Sequence, residues 1–228
     1  MEKGNYPFWK LDVISAIRRL ETESSHMTMP EYFAIETRQQ RHQRLGAAAL
    51  AQIGGGRSWA SFKEQSLQEA LAMIALAPRV ELLSVDLQGD LQLTYRIDMP
   101  TPRWPTADGL VIGRGAIFHL VYLDEWRTTP PPGIGPVGVF HPLDIFHPNA
   151  KPALRGALCL GELPAGVAPK ELLLMAYYLV ALQDYTLDET DPHGVFNPQA
   201  CEYFRLRPEY LPLCTAGLYE DWQPAGER

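Results

Sequence analysis

The chain lacks any apolar stretch long enough to cross a bilayer. Its longest nearly unbroken apolar run is Leu172 to Leu182, well short of the ~20 residues a membrane helix needs. The opening Met1-Glu2-Lys3-Gly4-Asn5 lacks the apolar segment of a secretory signal. It also lacks a basic field: 20 Lys and Arg stand against 27 Asp and Glu in 228 residues, a formal charge of −7, with no dense cationic run. Nothing in that balance draws in a phosphate backbone, so nucleic acid is not an expected partner. Cysteine is scarce, at three residues, Cys159, Cys201 and Cys214. They cannot all pair within the chain and are too few to staple a fold of this size, so reduced thiols are expected. The expectation is a soluble, cytoplasmic, globular protein with no membrane association.

What is present is 46% hydrophobic and 21% charged, enough for one core with an appendage. Trp9, Val13, Ile17 and Leu20 share one helical face. A second helix is expected from near residue 29, where Thr28 and Glu31 have capping-box spacing, to the triplet Gly54-Gly55-Gly56. That triplet reads as the most flexible point, and the expected boundary lies there: residues 1–57 a helical N-terminal extension, 58–228 the core. In the core, Leu67, Leu71 and Ile74 repeat at helical spacing, and Pro78 blocks winding beyond a helix over 61–77. The period then changes to two. Leu83, Val85 and Leu87, then Leu91, Leu93, Tyr95, Ile97 and Met99, alternate with polar residues around Gly89-Asp90, which predicts a hairpin. Strands over 116–123 and 137–140 would complete an antiparallel meander. Leu172 to Leu182 predicts a buried helix with Pro169 in its first turn, and Asn197-Pro198 the cap and first residue of another, with Ala200, Tyr203 and Phe204 inward. The class is α+β: an antiparallel meander with an N-terminal core helix and C-terminal helices segregated on one side.

The stretch most suggestive of chemistry runs from His141 to Cys159. It is long, proline-rich and aperiodic, yet it carries Leu143, Ile145, Phe146 and Leu158, as expected of a packed functional loop. Taken alone, Cys159 between Leu158 and Leu160 is more often a buried core thiol. Cys201 reads as core, and Cys214 lies in an irregular tail.

His147-Pro148-Asn149 followed by Cys159-Leu160, with Trp126 and Pro130-Pro131-Pro132 upstream and Asp191-Pro192 and Asn197-Pro198 downstream, resembles the core of the ubiquitin-conjugating enzymes over roughly residues 60–205. Ten positions separate Asn149 from Cys159, two more than is usual in that family. The tryptophan usual after the cysteine is missing, the Asp-Pro loop is longer, and the first 57 residues have no counterpart. These features are similar to divergent bacterial members found beside a ubiquitin-like protein, an activating enzyme and a deconjugating peptidase, for which a role in defence against phage is implied.

The resemblance implies that Cys159 accepts the acyl end of a ubiquitin-like protein as a thioester and passes it to a target amine. A free thiol titrates near pH ~8.5, but exchange between thioesters needs proximity and orientation more than a strong base. It further implies that Asn149 stabilises the oxyanion, that His147, with Pro148, holds the loop through backbone hydrogen bonds, and that Asp191 orients the incoming lysine, with Asp188 and Glu189 as rivals. The implied partners are a ubiquitin-like protein, its activating enzyme and a protein substrate, without a cofactor. The family's docking helix is basic, whereas the matching helix here has Lys63 as its only base, so Arg38, Arg41 and Arg44 are candidates to replace it.

Two alternatives share these residues. A variant of the same fold could be a binding scaffold without activity, and a cysteine hydrolase would use Cys159 with His193 as base and Asp191 or Asn197 as its orienter. Asn149 could also simply cap a turn. His141, His147, Cys159 and His193 lack the close spacing of zinc ligands, so no metal is expected.

Overall fold

The computed structural model describes residues 37–151, 154, 156–190 and 194–220. The predicted helix around Trp9 to Leu20, the cap at Thr28, and Asp191, Pro192 and His193 lie outside the described residues. Among the described residues the elements are α1 (Arg38–Leu50), α2 (Arg57–Leu76), β1 (Val80–Asp86), β2 (Leu91–Thr106), β3 (Gly109–Tyr122), β4 (Ile134–His141), β5 (Ala150–Lys151), β6 (Ala157–Cys159), α3 (Pro169–Val180) and α4 (Pro198–Leu206), with short 3-10 turns at Asp124–Arg127 and Pro208–Tyr210. The strands form one antiparallel sheet in the order β1-β2-β3-β4-β6-β5, and the class is α+β.

Leu93, Tyr95, Ile97, Phe118, Leu120, Val137 and Val139 are buried on the inner face of the sheet. They share one core with Leu67, Ala70 and Ile74 of α2 and with Leu172, Leu173, Ala176 and Val180 of α3. A smaller cluster gathers Phe146, Leu182, Ala200 and Phe204 under α4. Each of the larger aliphatic and phenyl side chains among them contributes about 1.5–3 kcal/mol by leaving water. Pro169 and Pro198 occupy helix N-termini as expected, and the Asn197 side chain accepts from the Ala200 amide at 3.2 Å.

The hairpin forms, but β1 departs from strict alternation. Val80, Leu82 and Val85 oppose the inward Ile97, Tyr95 and Leu93, because a bulge between Leu82 and Ser84 shifts the register by one residue. Leu83, expected on the buried face, is the inserted residue. Strands β2 and β3 run on to Thr106 and Gly109, beyond the expected alternation that ended at Met99 and the expected strand start at residue 116, and the pairing slips between Ile97 and Pro100 and between Arg103 and Thr106.

The glycine triplet is not a loose linker. The Gly54 amide donates to Leu87 O at 2.9 Å, and a Cβ there would sit 2.0 Å from Gln88 O. The compact unit begins at Thr37, so that residues 37–56, assigned from the sequence to the extension, are part of it. Thr37 caps α1 with a reciprocal box to Gln40, so α1 starts at Arg38; the expected start near residue 29 lies outside the described residues. The helix covers the free edge of β1. Arg38 donates to Val80 O and to Ala77 O (2.9 Å), and the His42 Nε2 accepts from the Leu82 amide at 3.2 Å. Side chains thus occupy an edge that could otherwise recruit another strand. Arg38 is committed to carbonyls beyond α2, and Arg41 pairs with Glu81 at 2.7 Å, so two of the three arginines suggested for docking are engaged within the fold.

Lys63 is fully buried and is no docking base. Its Nζ donates to Leu87 O and to Gly89 O (2.9 Å) and lies 5.3 Å from the Trp59 ring, and burial pushes its pKa down. Lys63→Ala strands the buried Leu87 carbonyl and the part-buried Gly89 carbonyl and is expected to cost about 2–3 kcal/mol in urea unfolding; a loss under 0.5 kcal/mol on the surface-substitution scale would show that water replaces the ammonium.

Candidate functional site

The segment His141 to Cys159 is more regular than its sequence suggested. It contains β5 and β6, which pair Ala150 with Leu158 and Lys151 with Ala157. That register places Asn149 opposite Cys159, and the Cys159 amide donates to Asn149 O at 2.9 Å. Gly156 precedes β6 at φ +76, where a Cβ would also meet Val139 O at 2.5 Å. On the far side of Cys159, the Leu160 amide donates to Gly133 O at 2.7 Å. The chain passes so close that a Cβ on Gly133 would lie 2.1 Å from Gly161 O.

His147 is fully buried, with both ring nitrogens bonded to backbone. Nδ1 accepts from the Asn149 amide at 3.0 Å, which leaves Nε2–H to donate to Leu179 O at 2.8 Å, in the last turn of α3. Burial pushes its pKa down to about 4, so the ring is neutral near pH 7. The Pro148 carbonyl accepts from the amides of Phe196 and Asn197 (2.9 and 3.0 Å) just ahead of α4. The tripeptide thus ties β5 to both C-terminal helices.

Asn149 is 1% exposed. Its Nδ2 donates to Gly194 O at 2.6 Å and Thr186 O at 3.3 Å, and its Oδ1 accepts from the Thr186 amide at 3.3 Å. Both amide hydrogens are thereby directed at loop carbonyls. In this arrangement Asn149 is a positioning residue that fastens the segment after α3 over the cysteine.

Cys159 ends β6 at 6% exposure. It lines a cavity of about 170 Å³ together with the apolar Leu160, Met175 and Leu179 and the polar Asn149, Asp184 and Thr186. Among the sequence-predicted acids, Asp188 accepts from Thr190 N and Oγ1 (2.9 and 2.6 Å), bonds that hold its carboxyl low, and Glu189 pairs with Arg205 at 3.1 Å. Neither lines the cavity. Asp184 and Tyr185 do, and they were overlooked because nothing local marks them. The available signal was their place directly after the helix that receives His147.

Among the described residues no histidine lines this cavity, and His147 has no nitrogen left to act as a hydrolase base. Cys201 and Cys214 are buried elsewhere, Cys201 donating to Leu187 O at 2.9 Å. Among the described residues no three His, Cys, Asp or Glu side chains cluster as a metal site, and no helix is long and apolar enough to cross a membrane. Comparison with family models, curated proteins and solved structures finds no match to the chain.

Proposed function

We propose that the protein is a ubiquitin-like conjugating enzyme with Cys159 as its acyl carrier. The observation that carries this reading is the opposition of Asn149 and Cys159 across β5 and β6, both lining one cavity of mixed polar and apolar character. The order of α2, the β1–β4 meander, the crossing segment and α3–α4 supports a ubiquitin-conjugating-like fold. Residues 1–36 and the covering helix α1 are additions to it.

In the proposed cycle the Cys159 thiolate attacks the thioester carbonyl carried by an activating enzyme, whose cysteine leaves as thiolate, so that one thioester replaces another. A target amine then attacks the Cys159 thioester, loses a proton, and expels the Cys159 thiolate to leave an amide. Asp184, which lines the cavity, orients that amine in this reading. Asn149 holds the surrounding loop, and would reach the oxyanion only after releasing Thr186 or Gly194. The partners are a ubiquitin-like protein, its activating enzyme and a protein target, in the cytoplasm, and the biological setting is bacterial antiphage defence.

The test is loading with the cognate modifier, activating enzyme and ATP. Wild type is expected to form an adduct that thiol reductant cleaves, Cys159→Ser an adduct that resists it, and Cys159→Ala none. An adduct on Cys159→Ala would assign the wrong residue. A modifier bound without any adduct would favour the scaffold, the reading that the low exposure of Cys159 supports.

A further inference from the structure

On another part of the compact unit, a cavity of about 480 Å³ lies beyond the C-terminus of α2 and is lined by Arg38, Arg79, Arg96 and Arg114 together with Glu81 and Asp98. Four guanidinium groups against two carboxylates is an unusual balance in a chain of net charge −7. Both carboxylates are already taken: Glu81 pairs with Arg41 at 2.7 Å and Asp98 with Arg114 at 3.1 Å. Among the described residues no carboxylate pairs with Arg38, Arg79 or Arg96.

Arg79 is 8% exposed. Its charge is balanced only by neutral oxygens, those of Asp98 O (3.3 Å), Tyr177 Oη (2.8 Å) and Gly217 O, and its Nε is buried without a hydrogen-bond partner. The hydrogen bonds of Arg38 likewise go to backbone carbonyls, with Glu81, itself paired to Arg41, the charge that offsets it. These two cations are immobilised at the wall of the cavity, and partial burial lets their potential act on its interior with less screening than at an open surface. Arg96 is exposed on β2, directly opposite Glu81 in the strand register. It supplies a mobile planar fork suited to bidentate contact with an oxyanion.

We propose that this cavity binds a polyvalent oxyanion of the phosphate class. The volume falls within the range of small-ligand sites, roughly 300–1,000 Å³, and the ligand supplies the negative charge that Glu81 and Asp98 cannot. The site is separate from Cys159, and its test is independent of conjugation.

Calorimetric titration of the full chain with inorganic pyrophosphate, and separately with ADP, decides the matter. Saturable binding at one site is expected, weakened roughly ten- to a hundredfold by Arg96→Gln, reduced by added salt, and unaffected by Arg57→Gln at the distant start of α2. Arg96 is a solvent-exposed strand residue, and matching melting temperatures of variant and wild type would verify the fold. Equal affinity for the two ligands assigns the site to free phosphates, and tighter ADP binding assigns it to a nucleotide. No saturable binding at millimolar pyrophosphate, an undiminished Arg96→Gln, or an equal loss in Arg57→Gln would overturn the proposal.

Discussion

Asn149→Ala is expected to lower stability by about 2–4 kcal/mol and to accelerate alkylation of Cys159 by about tenfold or more. The side chain makes three hydrogen bonds, to Thr186 N, Thr186 O and Gly194 O, from an almost fully buried position. Alanine removes all three and leaves the loop groups unpaired. The segment covering the 170 Å³ cavity then opens at lower free energy, and a tenfold rise in reactivity requires only about 1.4 kcal/mol of that loss. Alkylation by iodoacetamide forms no oxyanion, so the measurement separates positioning from transition-state stabilisation. A variant that is destabilised but alkylates at the wild-type rate would show that Asn149 does not govern access to the thiol. In the conjugation assay, positioning predicts that loading and transfer to lysine fall together; an oxyanion role predicts that transfer falls more.

Acid should destabilise the protein well above the range where carboxylates titrate. His147 and His119 are buried, and burial pushes the pKa of each down to about 4, against an ordinary value of 6.5. Below pH 6.5 the unfolded chain takes up protons that the native state refuses, so stability is full above 6.5 and falls as pH drops toward 4. Each histidine contributes a slope of up to about 1.4 kcal/mol per pH unit, or about 3 kcal/mol over the whole window. His42, whose pKa is also lowered by burial, acts in the same direction. Urea unfolding at pH 7.5, 6.0 and 5.0 measures this before the lowered carboxyls Asp144 and Glu69 begin to protonate. His119→Gln should remove one histidine's share of the slope while sparing the His147 loop. A midpoint unchanged from pH 7.5 to 5.0 would mean that both rings accept protons in the native state.

Much of the architecture was legible in the residues. The period of two in Leu91 to Met99 specified β2 and its buried face, the apolar run after Pro169 specified α3, and Asn197-Pro198 marked the start of α4, because each pattern follows from local backbone geometry. The failures also have physical causes. The bulge at Leu83 leaves no mark in composition, since one inserted residue changes which side chains face the core without changing their types. The β2–β3 extension lacks the period of two that marks the rest of β2, because the pairing slips between Ile97 and Pro100 and between Arg103 and Thr106. Gly54 looked like a hinge, whereas its lack of a Cβ serves a close approach to Gln88. Lys63 looked like a surface base, because burial of a long cation depends on carbonyls that a distant turn supplies.

The candidate site divides along the same line. Its cysteine, its tripeptide and their order were readable in one dimension, because the bonds among His147, Asn149 and Cys159 run within a single short segment. The capture of the Asn149 carboxamide by Thr186 and Gly194, the placing of Asp184 in the cavity, and the gathering of four arginines from α1, the approach to β1, β2 and β3 were decided by tertiary structure alone. Each joins groups tens of residues apart, and such contacts form only when the burial of the common core offsets the entropy of closing the loops between them.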